Sequence, residues 1–259
     1  MLEITRKRGP FVIKEIWFSQ SPFVPTGCDS VTFMNCQRSV SLAGFERAEY
    51  PTAVIDLAEP LDAIWKNVSS SCRYEIRRAE REGVKVRTSE DWNELYSTHR
   101  SFGQAKGLHG YSEWGRKAFV DYARNGTLFT AEFDGHILNG HLYFRDEQYM
   151  RLIIAPSRRF ERGEFSTKLV GHANRLTFWT AIKHAKTAGL RVFDVGGIWT
   201  GIDQLNPRYK GINQFKMEFG GKMNTVYIYR MDMSNTFKIA QGCKDLLDRV
   251  SLTVLHRNI

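Results

Sequence analysis

The chain has 259 residues, 42% hydrophobic and 25% charged, a balance that fits a soluble globular protein with room for one large domain or two small ones. No apolar run nears the roughly 20 residues that a membrane-spanning helix needs, and the basic start MLEITRKRGPF has no apolar stretch behind it. Neither a span nor a secretory leader is therefore expected, and a cytoplasmic location is. The formal net charge of +9 points to an anionic partner: nucleic acid, nucleotide, pyrophosphate-linked substrate or acidic membrane surface.

Residues 11–57 read as short strands and turns. FVIKEIWF (11–18) alternates in part, SPFVPTG breaks the chain, and TAVIDL (52–57) has the continuous apolar run of a buried strand. Pro60 suits the first turn of a helix, and Leu61, Ile64, Trp65 and Val68 follow at helical spacing until three serines interrupt. A second helix begins near Cys72, buries Cys72, Ile76 and Ala79, and stops at Gly83. Its other side carries Arg73, Arg77 and Arg81 at i, i+4 and i+8, with Arg78 adjacent. Such a stripe can neutralise a phosphate group; the bland reading is a solvated face paired with Glu75, Glu80 and Glu82.

From Gly83 the rhythm changes. GVKVRTS is a strand, EDWNELYSTHRSFG and SEWGRKAFVDYARNG are helices, and TLFTAEFDGHI, LNGHLYFRD and QYMRLIIAP form a meander with a hairpin at Asp134-Gly135. A long helix follows with Leu169, Ala173, Leu176, Trp179 and Ile182 as its apolar stripe and Gly189 as its stop. LRVFDVGG is a strand, NQFKMEFGG a short helix or turn, TVYIYRMD a strand, and residues 235–254 an amphipathic helix. Cys28, Cys36, Cys72 and Cys243 form no CxxC pair, which excludes a standard zinc site by spacing and leaves reduced, structural thiols. His136, His141, His172 and His184 show no metal-ligand pattern either and read as structural, while His172 and Asn174, near the start of the long helix, are placed to line a cleft.

The order strand, two helices, three antiparallel strands, helix, strand, helix, strand resembles that of the GNAT acyltransferase fold: an α/β class with a mixed, mostly antiparallel twisted sheet flanked by helices. Residues 1–82 are expected as an abbreviated N-terminal GNAT-like subdomain and 83–259 as the acyltransferase domain. A sheet of this kind splays where its fourth and fifth strands part, and the amides of the helix after the fourth strand face the gap, where they can bind an anionic donor. Here those strands are YMRLIIAP (149–156) and RVFDVGG (191–197), and the segment between them supplies Arg158, Arg159, Arg162 and Lys168 as donor-binding candidates.

Asp194 stands alone in an apolar strand, so its carboxylate must be hydrogen-bonded, paired or protonated. It either anchors the following loop through backbone amides or orients a substrate amine. Gly196 and Gly197 next to it imply close approach of a ligand to backbone or an unusual φ. Acyl transfer to an amine needs a deprotonated amine, an aligned carbonyl and stabilisation of the developing oxyanion, the last a task for a fixed cation. Lys216, between Phe215 and Phe219, fits that task; alternatively the two phenylalanines anchor the core and Lys216 points to water. Lys216 and Asp194 are thus the catalytic candidates. Phe215, Tyr209, Arg73, Arg77, Arg78, Asn174, Gly196 and Gly197 are the substrate-binding ones.

Three segments together resemble the Fem-type (FemABX) aminoacyltransferases and their GNAT-fold relatives of surface-polysaccharide synthesis: SSSCRYEIRRAEREGVKVR (69–87), NRLTFWTAIKHAKTAGLRVFDVGG (174–197) and YKGINQFKMEFGG (209–221). The resemblance implies transfer of an acyl group to an amine of a peptidoglycan or other cell-envelope precursor, with Lys216 matching the family's lysine at the acyl-transfer site and Phe215 the aromatic before it. It also implies a nucleotide- or lipid-linked glycan precursor as acceptor, peripheral contact with the inner membrane face, no metal and no tightly bound cofactor. Typical Fem proteins carry two complete GNAT-like domains, and the R/Q-x-x-G-x-G/A fingerprint of acetyl-CoA enzymes is absent, RRFERGEF bringing only Gly163 near register. Aminoacyl-tRNA and acyl-CoA both stay open as donor, the second making an amino-sugar N-acetyltransferase. A non-catalytic RNA-binding module on the same fold is a further reading, without an RRM, KH or OB signature to support it.

Overall fold

In the computed structural model, which describes residues 1–107, 114–161 and 165–242 (the side chains of Ile202 and Arg208 aside), the chain sorts into two units, Met1–Tyr50 with Val226 onward, and Pro51–Thr225. The strands are β1 (Leu2–Arg8), β2 (Phe11–Trp17), β3 (Ser30–Cys36), β4 (Glu46–Asp56), β5 (Lys85–Ser89), β6 (Thr127–Phe133), β7 (His136–Arg145), β8 (Tyr149–Ile154), β9 (Val192–Gly197) and β10 (Lys222–Asp232). The helices are α1 (Leu61–Asn67), α2 (Ser70–Arg81), α3 (Trp92–Lys106), α4 (Arg116–Ala123), α5 (Thr167–Thr187) and α6 (Pro207–Met217).

The first unit orders its strands β1-β2-β3-β10, with β2 and β3 parallel and the other pairs antiparallel. Ile16, Val31, Phe33, Cys36 and Tyr229 form its fully buried core. β1 lies upstream of the first strand expected from sequence. LEITRKR is too charged to read as a strand alone, and it is held by pairing with β2 and by Lys14–Glu3 (2.8 Å) and Arg6–Glu15 (3.4 Å) ion pairs. Of the C-terminal helix expected over 235–254, residues 235–242 are helical and the remainder lies outside the described residues.

The second unit carries the order β4-β9-β8-β7-β6-β5, antiparallel throughout except for β8 beside β9. With its flanking helices this is the α/β, mostly antiparallel, GNAT-like sheet anticipated from the element order. The Asp134-Gly135 hairpin forms with both residues at positive φ (50° and 77°), the geometry a two-residue turn needs to match strand twist. Alternation along β7 sends His141 and Tyr143 toward α5, and Phe144 toward α4. Helix α5 is capped by Ser166, whose Oγ accepts from Leu169 N at 3.1 Å, and it buries Ala173, Leu176, Trp179 and Ile182 as their spacing dictates. Helix α2 packs its Cys72, Ile76 and Ala79 face into the same core. The boundary expected after residue 82 falls at the C-cap of α2, inside this unit. Helix α6 begins at Pro207, upstream of the expected NQFKMEFGG segment, because proline is well placed in a first helical turn. Among the described residues no helix is long and apolar enough to cross a membrane.

After α6 the chain turns at Gly220 (φ 77°), where an added Cβ would lie 2.6 Å from the Asn67 carbonyl oxygen. Gly189 has the same φ and open space around it. Gly189→Ala should therefore cost only the left-handed strain, about 1 kcal/mol, and Gly220→Ala about 2 kcal/mol or more, because backbone must also move. Paired chemical-denaturation curves measure the difference.

Candidate active site

Strands β8 and β9 pair through only three residue pairs, Tyr149–Val192, Met150–Phe193 and Arg151–Asp194; beyond them the strands part. The last pair closes the joint. Asp194, 1% exposed, is ion-paired with Arg151, 4% exposed. The Thr52 hydroxyl, on β4, sits between the Asp194 carboxylate and the Gly196 carbonyl (2.8 Å from the latter), and Gly196 N–H donates to Asp194 Oδ1 at 2.8 Å. Two opposite charges in apolar strands thus neutralise each other where the sheet opens, and the spare carboxylate valences fix the turn into Gly196.

Gly196 takes φ 83°, and a Cβ there would stand 2.9 Å from the Leu152 carbonyl oxygen and 3.3 Å from Lys216 Nζ. Gly196 therefore leaves room for the Leu152 carbonyl and for Lys216. Lys216 Nζ donates to Gly197 O at 2.6 Å and stands 5.7 Å from the centre of the Trp199 ring. That ring is stacked on Tyr209 (4.5 Å, 4° between planes), and Asn213 pins the Trp199 backbone at both N–H (3.1 Å) and C=O (2.7 Å). Burial, helped by the Arg151 guanidinium and opposed by the Asp194 carboxylate, pushes the Lys216 pKa down to about 7. Phe219 is fully buried against Phe178 (4.2 Å) and Phe215 packs at 5.6 Å from the same ring. Both phenylalanines are core anchors, yet Lys216 turns inward to the splay rather than to water.

The splay opens into a cleft of about 620 Å³, a usual size for a ligand site, walled by β8 from Leu152 to Pro156, by Asn174 on α5, by Trp199, and by Phe215 and Lys216 on α6. A second, cationic cleft of about 910 Å³ lies at the start of α5, where Arg78, Arg159, Lys168 and Arg175 meet Glu82 and His172. Arg159, Gly171 and Arg175 line both clefts, so the two adjoin. Arg175 is held by Glu218 (2.7 Å) and Glu75 (3.1 Å).

The expected residues separate accordingly. Lys216, Phe215, Asn174 and Arg159 line the first cleft, and Arg78, Arg159 and Lys168 share the second. Asp194 is enclosed and saturated, and acts on the site through Arg151, Thr52 and Gly196 rather than by facing the cleft. Gly196 and Gly197 serve Lys216, and Tyr209 backs Trp199. Arg73 turns back onto the end of α1, donating to the carbonyls of Trp65, Lys66 and Val68. Arg77 lies over the Trp65 ring at 5.6 Å, and Arg158 is spent on Glu94 at 2.6 Å. Arg162 lies outside the described residues. Sequence reasoning missed Arg151, although a lone arginine in YMRLII opposite a lone aspartate in VFDVGG is a readable signal. Thr52, Trp199 and Arg175 carried no such mark.

This frame matches known proteins. The family model described as an acetyltransferase (GNAT) domain covers residues 66–216, from the end of α1 to Lys216, and the chain belongs to that family and with it to the acyltransferases. The chain also shares its fold with FemX (TM-score 0.62, 13% identity, 90% of this chain and 84% of FemX). A second likeness is to the C-terminal domain of a protein described as a lysylphosphatidylglycerol synthetase, from Agrobacterium fabrum (TM-score 0.56, 14% identity, 96% and 85%). A third is to L-PGS from Bacillus licheniformis (TM-score 0.50, 16% identity, 80% and 69%). At such identities the likeness is one of fold. No curated protein is a sequence match.

Removing one member of the buried pair leaves the other charge uncompensated. Asp194→Ala is expected to cost about 3–5 kcal/mol in a denaturation experiment. Arg73→Ala should lower the melting temperature through loss of the α1 cap while leaving affinity for a polyphosphate anion unchanged; a loss of affinity without a loss of stability would return Arg73 to the ligand site.

Proposed function

We propose that the protein transfers an aminoacyl or acetyl group from an anionic donor to an amine of a cell-envelope precursor of the peptidoglycan or surface-polysaccharide class. The observation that carries this reading is Lys216: a single inward-turned lysine between parted strands, at the wall of a ligand-sized cleft that adjoins a cationic one. The phosphate-bearing part of the donor fits the cationic cleft, where Arg78, Arg159, Lys168 and the start of α5 favour negative charge. The acyl carbonyl then reaches the splay. As the deprotonated amine adds to the carbonyl carbon, negative charge develops on the carbonyl oxygen, where the Lys216 ammonium beside Trp199 stabilises it. Collapse forms the amide, breaks the donor's C–S or C–O bond, and passes the nitrogen's surplus proton to the departing thiolate or 3′-oxygen. Binding of an anionic donor favours the charged lysine and so offsets the pull of burial on its pKa.

Two donor classes fit, each with its own support. The Fem-type segments and the fold shared with FemX and a lysylphosphatidylglycerol synthetase domain favour aminoacyl-tRNA. The family's description as acetyltransferases favours acyl-CoA and an amino-sugar acceptor. The net charge of +9 suits either donor and a nucleotide- or lipid-linked acceptor met from the cytoplasm at the inner membrane face.

Thermal shift with acetyl-CoA, using coenzyme A and ATP as controls, separates the donors: stabilisation specific to the CoA ligands assigns the acetyl reading, and its absence directs the assay to charged tRNA. Lys216→Ala should then lower kcat by about 10²–10³ with little change in melting. With a cationic role, the ratio of wild-type to Lys216→Ala kcat/KM falls as pH rises through about 7, where Lys216 loses its proton, the deprotonation of the acceptor amine being common to both proteins. An unchanged kcat in the variant, or a ratio that climbs with pH through that range, would remove the oxyanion role.

A further inference from the structure

Beneath the first cleft lies a chain of three polar side chains that the acyl-transfer scheme does not use. His141 on β7 is fully buried, with Nδ1 3.3 Å from the Tyr143 hydroxyl and Nε2 3.0 Å from Asn174 Oδ1 on α5. Tyr143 is itself 0% exposed, and His141 is its hydrogen-bond partner. A buried hydroxyl with one partner spends its proton there, because an unsatisfied buried donor costs more than an unused acceptor lone pair. Nδ1 of His141 is therefore the acceptor, and the ring's single proton sits on Nε2. The ring is neutral, since burial pushes its pKa down to about 4, against an opposing influence from Asn174. Its surroundings are aromatic, the Phe178 and Tyr143 rings each lying 6.3 Å from it. Nε2–H donates to Asn174 Oδ1, which settles the rotation of the Asn174 amide: the oxygen faces inward and the NH2 group is left for the cleft that Asn174 lines.

We infer that Tyr143 and His141 are positioning residues that hold the Asn174 amide as a fixed hydrogen-bond donor for a carbonyl oxygen of the ligand in the cleft. The inference rests on the acyl-transfer reading for its ligand, and on the three-residue geometry for its mechanism. An ester, thioester or amide carbonyl meets the same requirement: one accepting oxygen brought to a donor that has already lost its rotational freedom. A neutral donor is suited to a carbonyl and poorly suited to a phosphate, which the adjoining cationic cleft accommodates instead.

The first test needs no ligand. In protein labelled with ¹⁵N-histidine, the His141 ring should show the Nε2–H tautomer from pH 8 to 5; an Nδ1–H tautomer, or titration at the ordinary histidine pKa, would overturn the inference. The second follows the Asn174 side-chain NH2 resonances while acetyl-CoA is added, and separately a 3′-aminoacylamido adenosine that mimics a charged tRNA end. Whichever ligand binds should shift them, which also tells the two carbonyl sources apart; binding that leaves them unmoved sinks the proposal. His141→Leu should raise Kd for that ligand roughly three- to tenfold with kcat little changed, and His141→Gln, which keeps a donor at the Nε2 position, should bring it back to within about twofold of the original. Equal losses in both variants would make His141 a packing residue only. Turnover with an unmoved Asn174 defeats this inference and leaves acyl transfer standing, whereas a shifted Asn174 without turnover does the reverse.

Discussion

The site depends on the buried Arg151–Asp194 pair. Neither charge is tolerable alone at this depth, and the two neutralise each other at the last residue pair that joins β8 to β9. Placed there, the pair does two things. It stands at the last pair of the parallel ladder, and it uses its remaining hydrogen-bonding capacity on Thr52 and the Gly196 amide. The backbone beyond is thereby held in a conformation open to glycine, and the gap receives the lysine.

Lys216 illustrates how a common residue gains chemistry from its setting. On an exposed helix it would be one more solvated cation. Between parted strands, beside Trp199 and near Arg151, its charge is poorly hydrated and its pKa falls to about 7. The aromatic residues around it serve the same end by different routes. Phe215 and Phe219 fix the helix that bears it, while Trp199, backed by Tyr209 and clamped by Asn213, limits water. The first cleft has Lys216, Phe215 and Trp199 in its wall, and the cleft alongside shares Arg159 and Arg175 with it.

Helix α5 links these parts. Its first turn contributes Lys168 to the cationic cleft, Gly171 and Arg175 stand at the boundary between clefts, Asn174 lines the first cleft, and its remainder is buried against the sheet. One helix, 21 residues long, therefore lines both clefts.

The sequence by itself determined the element order from Gly83 on, the fold class and the lysine. Helical spacing over 169–182, the Asp134-Gly135 turn and the apolar runs of β8 and β9 are local signals, set by propensity and periodicity within a few residues, so they are legible in one dimension. Lys216 was legible because its aromatic flanks and the glycine pair after them are contiguous with it. The partner of each cation was not. Arg73, Arg77 and Arg81 form one stripe, with Arg78 next to Arg77; Arg73 closes the end of α1 and Arg77 covers Trp65 while the three line a cleft of about 660 Å³, and Arg78, paired with Glu82 at 2.7 Å, reaches the cationic cleft beside α5. A guanidinium's partner is decided by what the fold brings within its reach, and for Arg73 that includes the carbonyls at the end of α1. Thr52, Arg151 and Asp194 lie up to 142 positions apart and meet only because β4, β9 and β8 are neighbours in the sheet. The tertiary structure alone made them a single joint.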